Sequence, residues 1–146
     1  MYIKQSALFT GTSMDFVKKF MDISEMSSYQ KGEVLFSEKD PAKFFFILLH
    51  GCVKLSIGKP KHVVYNAARN GEAFGWSSLI GGDVYSASAK CIEPTKLLKT
   101  NSDKLSKILE ADPDNGIIFF KQLAATLGKR LLEAYKMITP ETGDSK

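Results

Sequence analysis

Asn70-Gly71-Glu72-Ala73-Phe74-Gly75-Trp76-Ser77-Ser78-Leu79, followed shortly by Tyr85-Ser86-Ala87, decides how this chain is read. Gly71 and Gly75 frame a strand end and a close-approach turn, and one short helical turn with free amides follows before a new strand begins. N–H groups at a helix start point outward and favour negative charge, so the stretch reads as an anion cradle. No Lys or Arg lies between Asn70 and Ala89. An anion held by local residues alone would therefore have only amides and the hydroxyls of Ser77, Ser78 and Ser86.

Outward from this stretch the chain reads as strands. Toward the N-terminus, residues 62–67 form one, and a turn at Gly58-Lys-Pro-Lys61 precedes them. Val53, Leu55 and Ile57 alternate with Cys52, Lys54 and Ser56, the period-two signature of a half-buried strand. Residues 44–49 are continuously apolar and predict a strand buried on both faces. Glu33-Val-Leu-Phe36 is another strand, stopped by Ser37-Glu-Lys-Asp-Pro41. Ahead of it, Thr12 or Ser13 caps a helix carrying Phe16, Val17, Phe20 and Met21. Toward the C-terminus, Tyr85, Ala87, Ala89 and Cys91 alternate with polar neighbours, and residues 95–99 supply a last strand. Many short strands at close spacing predict a mainly β sandwich or small barrel over about 30–100.

Helices occupy about 102–138. Asn101 or Ser102 caps the first, and Asp112-Pro113 breaks it. In the long helix that follows, Ile117, Phe120, Ala124, Leu127, Leu131 and Ala134 fall at steps of three and four, an a/d seam. Phe119, Leu123, Leu132 and Tyr135 form a second apolar strip beside it. Two strips imply two neighbours, the chain's own barrel and a second copy, so a homodimer is expected. The plainer reading packs the seam wholly within its own domain. Lys129-Arg130 reads as a solvated face, and residues 139–146 as a polar tail beyond a single domain of 1–138.

Composition excludes more than it selects. The 146 residues, 44% hydrophobic and 25% charged, are enough for one ordinary globular domain. A net charge of +4 without any block of basic residues is poor support for nucleic-acid binding. Cys52 and Cys91 sit in apolar runs, and His50 and His62 have no further metal-ligand residues at suitable spacing. Neither a catalytic triad nor paired carboxylates stand out, so no catalysis, metal or cofactor is expected. The N-terminus lacks a signal-peptide pattern and no apolar run could span a bilayer, which predicts a cytoplasmic protein without membrane contact.

Taken in order, these segments resemble the cyclic-nucleotide-binding domain family, in particular the sensory domains of catabolite-activator-type bacterial regulators. Lys31-Gly-Glu-Val-Leu-Phe36 with Asp40-Pro41-Ala42 resembles the family's opening strand and turn, and residues 45–55 resemble its glycine-centred strand pair. Gly71-Glu72, Phe74-Gly75 and Ser86-Ala87 resemble the two ends of its phosphate-binding cassette. The resemblance implies an eight-stranded jelly roll with flanking helices, a long C-terminal dimerisation helix and a ligand site at Phe74, Gly75, Trp76, Ser77, Ser78, Tyr85, Ser86 and Ala87.

The family's ionic contacts do not carry over at two positions. Binding members place a glutamate after Phe-Gly for the ribose and an arginine before Ser-Ala for the cyclic phosphate; here Trp76 and Tyr85 stand there. Losing both contacts weakens a cyclic nucleotide by at least ~10²- to 10³-fold. The family's helical base contact falls near Ala134 and Tyr135, where alanine offers no hydrogen bond.

Trp76 has two readings, as a stacking surface for a flat ligand or as a plug in the empty ribose pocket. Tyr85 either donates its hydroxyl to a ligand or is an ordinary strand aromatic whose oxygen reaches solvent. The expected function is a ligand-sensing regulatory domain with altered ligand choice and weak or no cAMP binding. Its small-molecule partner would be cyclic-nucleotide-like, aromatic or anionic. The alternative is a non-sensing dimeric interaction module with a self-filled pocket. A polar tail in place of a helix-turn-helix implies no autonomous DNA binding.

Overall fold

The computed structural model describes residues 6–138; the expected polar tail lies outside them. Eight strands form two four-stranded antiparallel sheets, with neighbours ordered β1-β8-β3-β6 and β2-β7-β4-β5. The strands are β1 (Ser24–Tyr29), β2 (Val34–Phe36), β3 (Phe44–His50), β4 (Val53–Ile57), β5 (His62–Ala67), β6 (Ala73–Phe74), β7 (Ser88–Cys91) and β8 (Thr95–Asn101). Three helices flank them: α1 (Met14–Asp22), α2 (Ser102–Ala111) and α3 (Pro113–Ile138). This is the eight-stranded jelly roll expected from the sequence, with its long C-terminal helix.

Strand β3 explains the architecture. Its alternate side chains point to opposite faces. Phe46 and Leu48 enter the core between the sheets, with Phe36, Leu55, Phe74, Tyr85 and Leu97. Phe45, Ile47 and Leu49 face the other way, into a core shared with α1, α2 and α3 through Phe16, Phe20, Leu105 and Phe119. A strand buried on both faces has no polar side to show, which is why residues 44–49 read as one apolar run.

The helix boundaries follow from capping. The Ser13 side chain accepts from the Phe16 amide, and the Asn101 side chain accepts from the Lys104 amide. Pro113 opens α3, where its missing N–H costs nothing. Strand β1 is the element that the sequence reading lacks. It pairs with β8 along six residues, from Ser24 opposite Thr100 to Tyr29 opposite Thr95. Its composition, Ser-Glu-Met-Ser-Ser-Tyr, carries almost no apolar alternation. An edge strand held by backbone bonds leaves little trace in hydrophobic periodicity.

The second apolar strip of α3 is buried along only its first half. Phe119 and Leu123 lie in the core beneath the helix, whereas Leu132 and Tyr135, expected to face the barrel with them, are exposed because the helix runs past that core. Along the seam, Ile117, Phe120, Ala124, Leu131 and Ala134 are exposed, while Leu127 packs partly against that same core.

Candidate functional site

The cassette is anchored to β3 by backbone pairing. The Leu48 amide donates to the Glu72 carbonyl at 2.8 Å, and the Gly71 amide donates to the Leu48 carbonyl at 2.7 Å. Phe74 then stacks on Phe46 with ring centroids 5.2 Å apart, fully buried between the sheets. Gly75 adopts φ +75°, and a Cβ there would lie 2.9 Å from Phe46 Cδ1. The turn thus needs glycine for both its conformation and its closeness to β3. The helical turn that follows is a 3-10 turn of four residues, Trp76–Leu79, too short to gather much dipole.

Within this turn, the Ser77 carbonyl accepts from the amides of Ile80 and Gly82. The Ser78 and Ser102 hydroxyls are hydrogen-bonded to each other. Ser86 is exposed and Ala87 half-buried. Tyr85 is only 4% exposed and its ring stacks on Phe36 at 3.8 Å. Its hydroxyl donates to the Phe44 carbonyl at 2.8 Å and takes a bond of 3.0 Å from the Phe44 amide. Tyr85 therefore packs in the inter-sheet core; it precedes β7 instead of lying in a strand, and its oxygen is bonded to the Phe44 backbone instead of reaching solvent.

One expectation is overturned by a residue from the other end of the chain. Arg130, read as part of a solvated face, is 11% exposed in its side chain and sits in a cup formed by Tyr65, Glu72, Ala73 and Trp76. Its Nη2 donates to the Ala73 carbonyl at 2.7 Å and lies 3.6 Å from Glu72 Oε1. The guanidinium carbon stands 4.4 Å from the Tyr65 ring centroid and 4.8 Å from that of Trp76. Cation–π attraction adds about 0.5–2 kcal/mol per such contact, more where water is kept out. Nη1 is buried and has no hydrogen-bond partner among the described residues.

Arg130 reaches the cup because it continues the buried strip of α3. Phe119, Leu123, Thr126 and Arg130 follow one another at steps of four, three and four, one face of a helix. That spacing was the available signal. It was hidden because a charged residue does not register in an apolar pattern. The cup beside the cassette thus holds a cation that α3 supplies, where residues 70–89 supply none.

Glu72 is the counter-charge. Its carboxylate accepts from the Ala68 amide at 2.9 Å, the Arg69 amide at 2.8 Å and the Tyr65 hydroxyl. Burial by itself would raise its pKa. The bonds from Tyr65, Arg69 and Ala68, with the charge of Arg130, outweigh burial and hold the carboxyl below its ordinary range. Burial first, and then donation to Glu72, pushes the Tyr65 phenol up.

Beside this pair opens a cleft of about 480 Å³ between α3, the 69–73 segment and residues 6–8. That volume falls in the ~300–1,000 Å³ range of small-molecule sites. Arg69, Lys129, Arg130 and Lys136 line it, opposed by Glu72 and Glu133. The cleft touches the cassette at Gly71, Glu72 and Ala73, whereas Phe74 to Ser78 and Tyr85 to Ala87 are not among its lining residues. Among the described residues, no group of three or more His, Cys, Asp or Glu is placed to hold a metal ion. Among the described residues, no helix is long and apolar enough to cross a membrane.

Comparison with known proteins agrees with this fold. The family profile described as "Cyclic nucleotide-binding domain" matches residues 26–112. The human "cGMP-dependent protein kinase 2" is 30% identical over 90 residues, covering 60% of this chain and 12% of the kinase. The chain thus spans about an eighth of the length of the curated relatives it matches. A solved putative cyclic nucleotide-binding protein from Geobacter metallireducens GS-15 is 29% identical with a TM-score of 0.76, covering 85% of this chain and 91% of that one. The Thermus thermophilus Catabolite Activator Protein is 26% identical with a TM-score of 0.74, covering 91% of this chain and 62% of that one.

Proposed function

We propose that this chain, which belongs to the cyclic nucleotide-binding domain family, is a non-catalytic ligand-sensing domain whose ligand choice has moved away from cAMP. One observation carries the reading. Arg130 ties α3 to the cassette through the Ala73 carbonyl and the Glu72 carboxylate. A molecule that favours a different cassette position acts on α3 through that tie, and its differential affinity for the two arrangements sets how far the helix responds. The kinase and regulator relatives supply the comparison for a regulatory role.

Altered ligand choice rests on Trp76 and Tyr85. Trp76 packs against both hydrophobic cores and carries the Arg130 guanidinium over its ring. Tyr85 is committed to Phe36 and Phe44. Neither position offers an ionic contact to a ribose or a cyclic phosphate.

Thermal unfolding tests the reading. Saturating ligand at about 100 times its Kd adds about 2.7 kcal/mol, several degrees for a domain of this size. Millimolar cAMP and cGMP are expected to shift the midpoint by less than about one degree. A shift of several degrees with micromolar cAMP rejects the altered choice.

The unpartnered seam of α3 supports a homodimer, with Ile117, Phe120 and Leu131 exposed on it. A second reading, a dimeric interaction module that senses nothing, is favoured by one feature. Arg130 itself fills the space between Tyr65 and Trp76.

A further inference from the structure

We infer that the cleft beside Arg130 is a site for a small multivalent anion, gripped from α3 and not from the cassette turn. The inference rests on the sensor reading and names its ligand class. Four cationic side chains, Arg69, Lys129, Arg130 and Lys136, line a cleft that holds only two carboxylates. One of those carboxylates, Glu72, is saturated by Tyr65 and by the amides of Ala68 and Arg69. It therefore neutralises Arg130 at 3.6 Å without forming a close two-pronged bond with it.

The guanidinium is consequently under-used. It has five donors in a fixed fork, suited to planar or tetrahedral oxyanions. One nitrogen serves Ala73, and the buried Nη1 serves nothing among the described residues. Buried donors without partners are rare in folded proteins. Nη1 is closed off from solvent, so an anion in the cleft meets it by drawing the guanidinium out from between Tyr65 and Trp76. Lys129 and Lys136 lie seven residues apart on α3, two helical turns along one face, so both reach the rim of the same cleft. The surplus positive charge suits a pyrophosphate or polycarboxylate group better than a single carboxylate.

Trp76 is the chain's only tryptophan and stands under the Arg130 guanidinium, so its emission reports any movement of that side chain. The whole chain is titrated with sodium pyrophosphate and, separately, trisodium citrate, at constant ionic strength. A saturable change in Trp76 emission is expected below about 10 mM of at least one probe, and the tighter probe tells phosphate from carboxylate chemistry. Arg130→Met should weaken it by about tenfold or more, and Arg130→Lys by less.

Lys129→Gln with Lys136→Gln should weaken it by about threefold or more, and this variant keeps the buried pair intact should Arg130→Met fail to fold. No saturable change with either probe, or unchanged affinity in the lysine variant, overturns the inference. The two readings fail separately. If both anions fail while another small molecule raises the unfolding midpoint, the sensor reading stands and the cleft assignment falls. If an anion saturates the cleft but leaves amide exchange along α3 unchanged, the anion site stands and the sensor reading falls.

Discussion

The Arg130 guanidinium, carried on the last third of α3, lies 4.8 Å from the Trp76 ring, 54 residues earlier in the chain. The helix and the cassette therefore share one buried charge. That charge is matched by Glu72, whose side chain is 14% exposed, and bonded to the Ala73 carbonyl. A buried ion pair gains little over an apolar contact, but removing one partner alone is costly.

Arg130→Met keeps the apolar length of the side chain and removes the charge. It should cost about 2 kcal/mol, from the lost charge-assisted bond to Ala73 and the orphaned Glu72. Urea unfolding measures the loss, and Glu72→Gln in the same background should recover part of it. Single-variant costs that simply add in the double variant would show that the pair is not coupled.

Glu72 gives stability a dependence on acid. Its carboxyl is held below the ordinary value of 4.5, so the folded state releases the proton more readily than the unfolded chain. The contribution is complete above about pH 4.5 and is lost as the pH falls from there through the folded value. Native protein should therefore lose stability between neutral pH and pH ~3.5 faster than Glu72→Gln does. Urea midpoints at the two pH values test this, and parallel slopes would assign the acid sensitivity to other carboxylates.

Gly75 and Gly32 both sit at positive φ, +75° and +93°, but only Gly75 is crowded. A Cβ at Gly75 meets Phe46 Cδ1 at 2.9 Å and the Phe44 carbonyl at 3.2 Å, whereas nothing lies within 4 Å at Gly32. Gly32→Ala should cost about 1–2 kcal/mol for the left-handed backbone alone. Gly75→Ala should cost more, because Phe46 and the cassette must also separate. Chemical denaturation of the two variants ranks them directly.

The proposed dimer is tested on the outer face of α3. Leu131 is 52% exposed, whereas Leu127 also packs on its own core, so Leu131→Lys is the cleaner probe. The expected result is a halved mass in sedimentation with an unchanged unfolding midpoint at low protein concentration. A native chain that sediments as a monomer removes the dimer.

How much was legible depends on the kind of residue. Strand β3 was found as a strand because it is apolar on both faces, whereas β1, whose residues are mostly polar, left no pattern to read. Gly75 was placed correctly in a close-approach turn, because only glycine suits that backbone. Tyr85 stayed ambiguous, since a phenol belongs equally to a site and to a core. Its stacking on Phe36 and its two bonds to Phe44 decide the matter.

By its own pattern, the sequence determined a β sandwich or small barrel, the close-approach glycine at Gly75, helix boundaries at Asn101 or Ser102 and at Asp112-Pro113, and the absence of a local cation between Asn70 and Ala89. Those features are written in neighbouring residues, through alternation, capping and the special backbones of glycine and proline. Only the tertiary structure decided that Arg130 lies against this stretch, 57 positions beyond the Ala73 carbonyl it binds. The rotation and docking of α3 on the barrel bring that side chain in, and both are set by packing of Phe119 and Leu123 on a distant core. Periodicity reports which face of a helix is buried; it does not say what the far end of that face will meet.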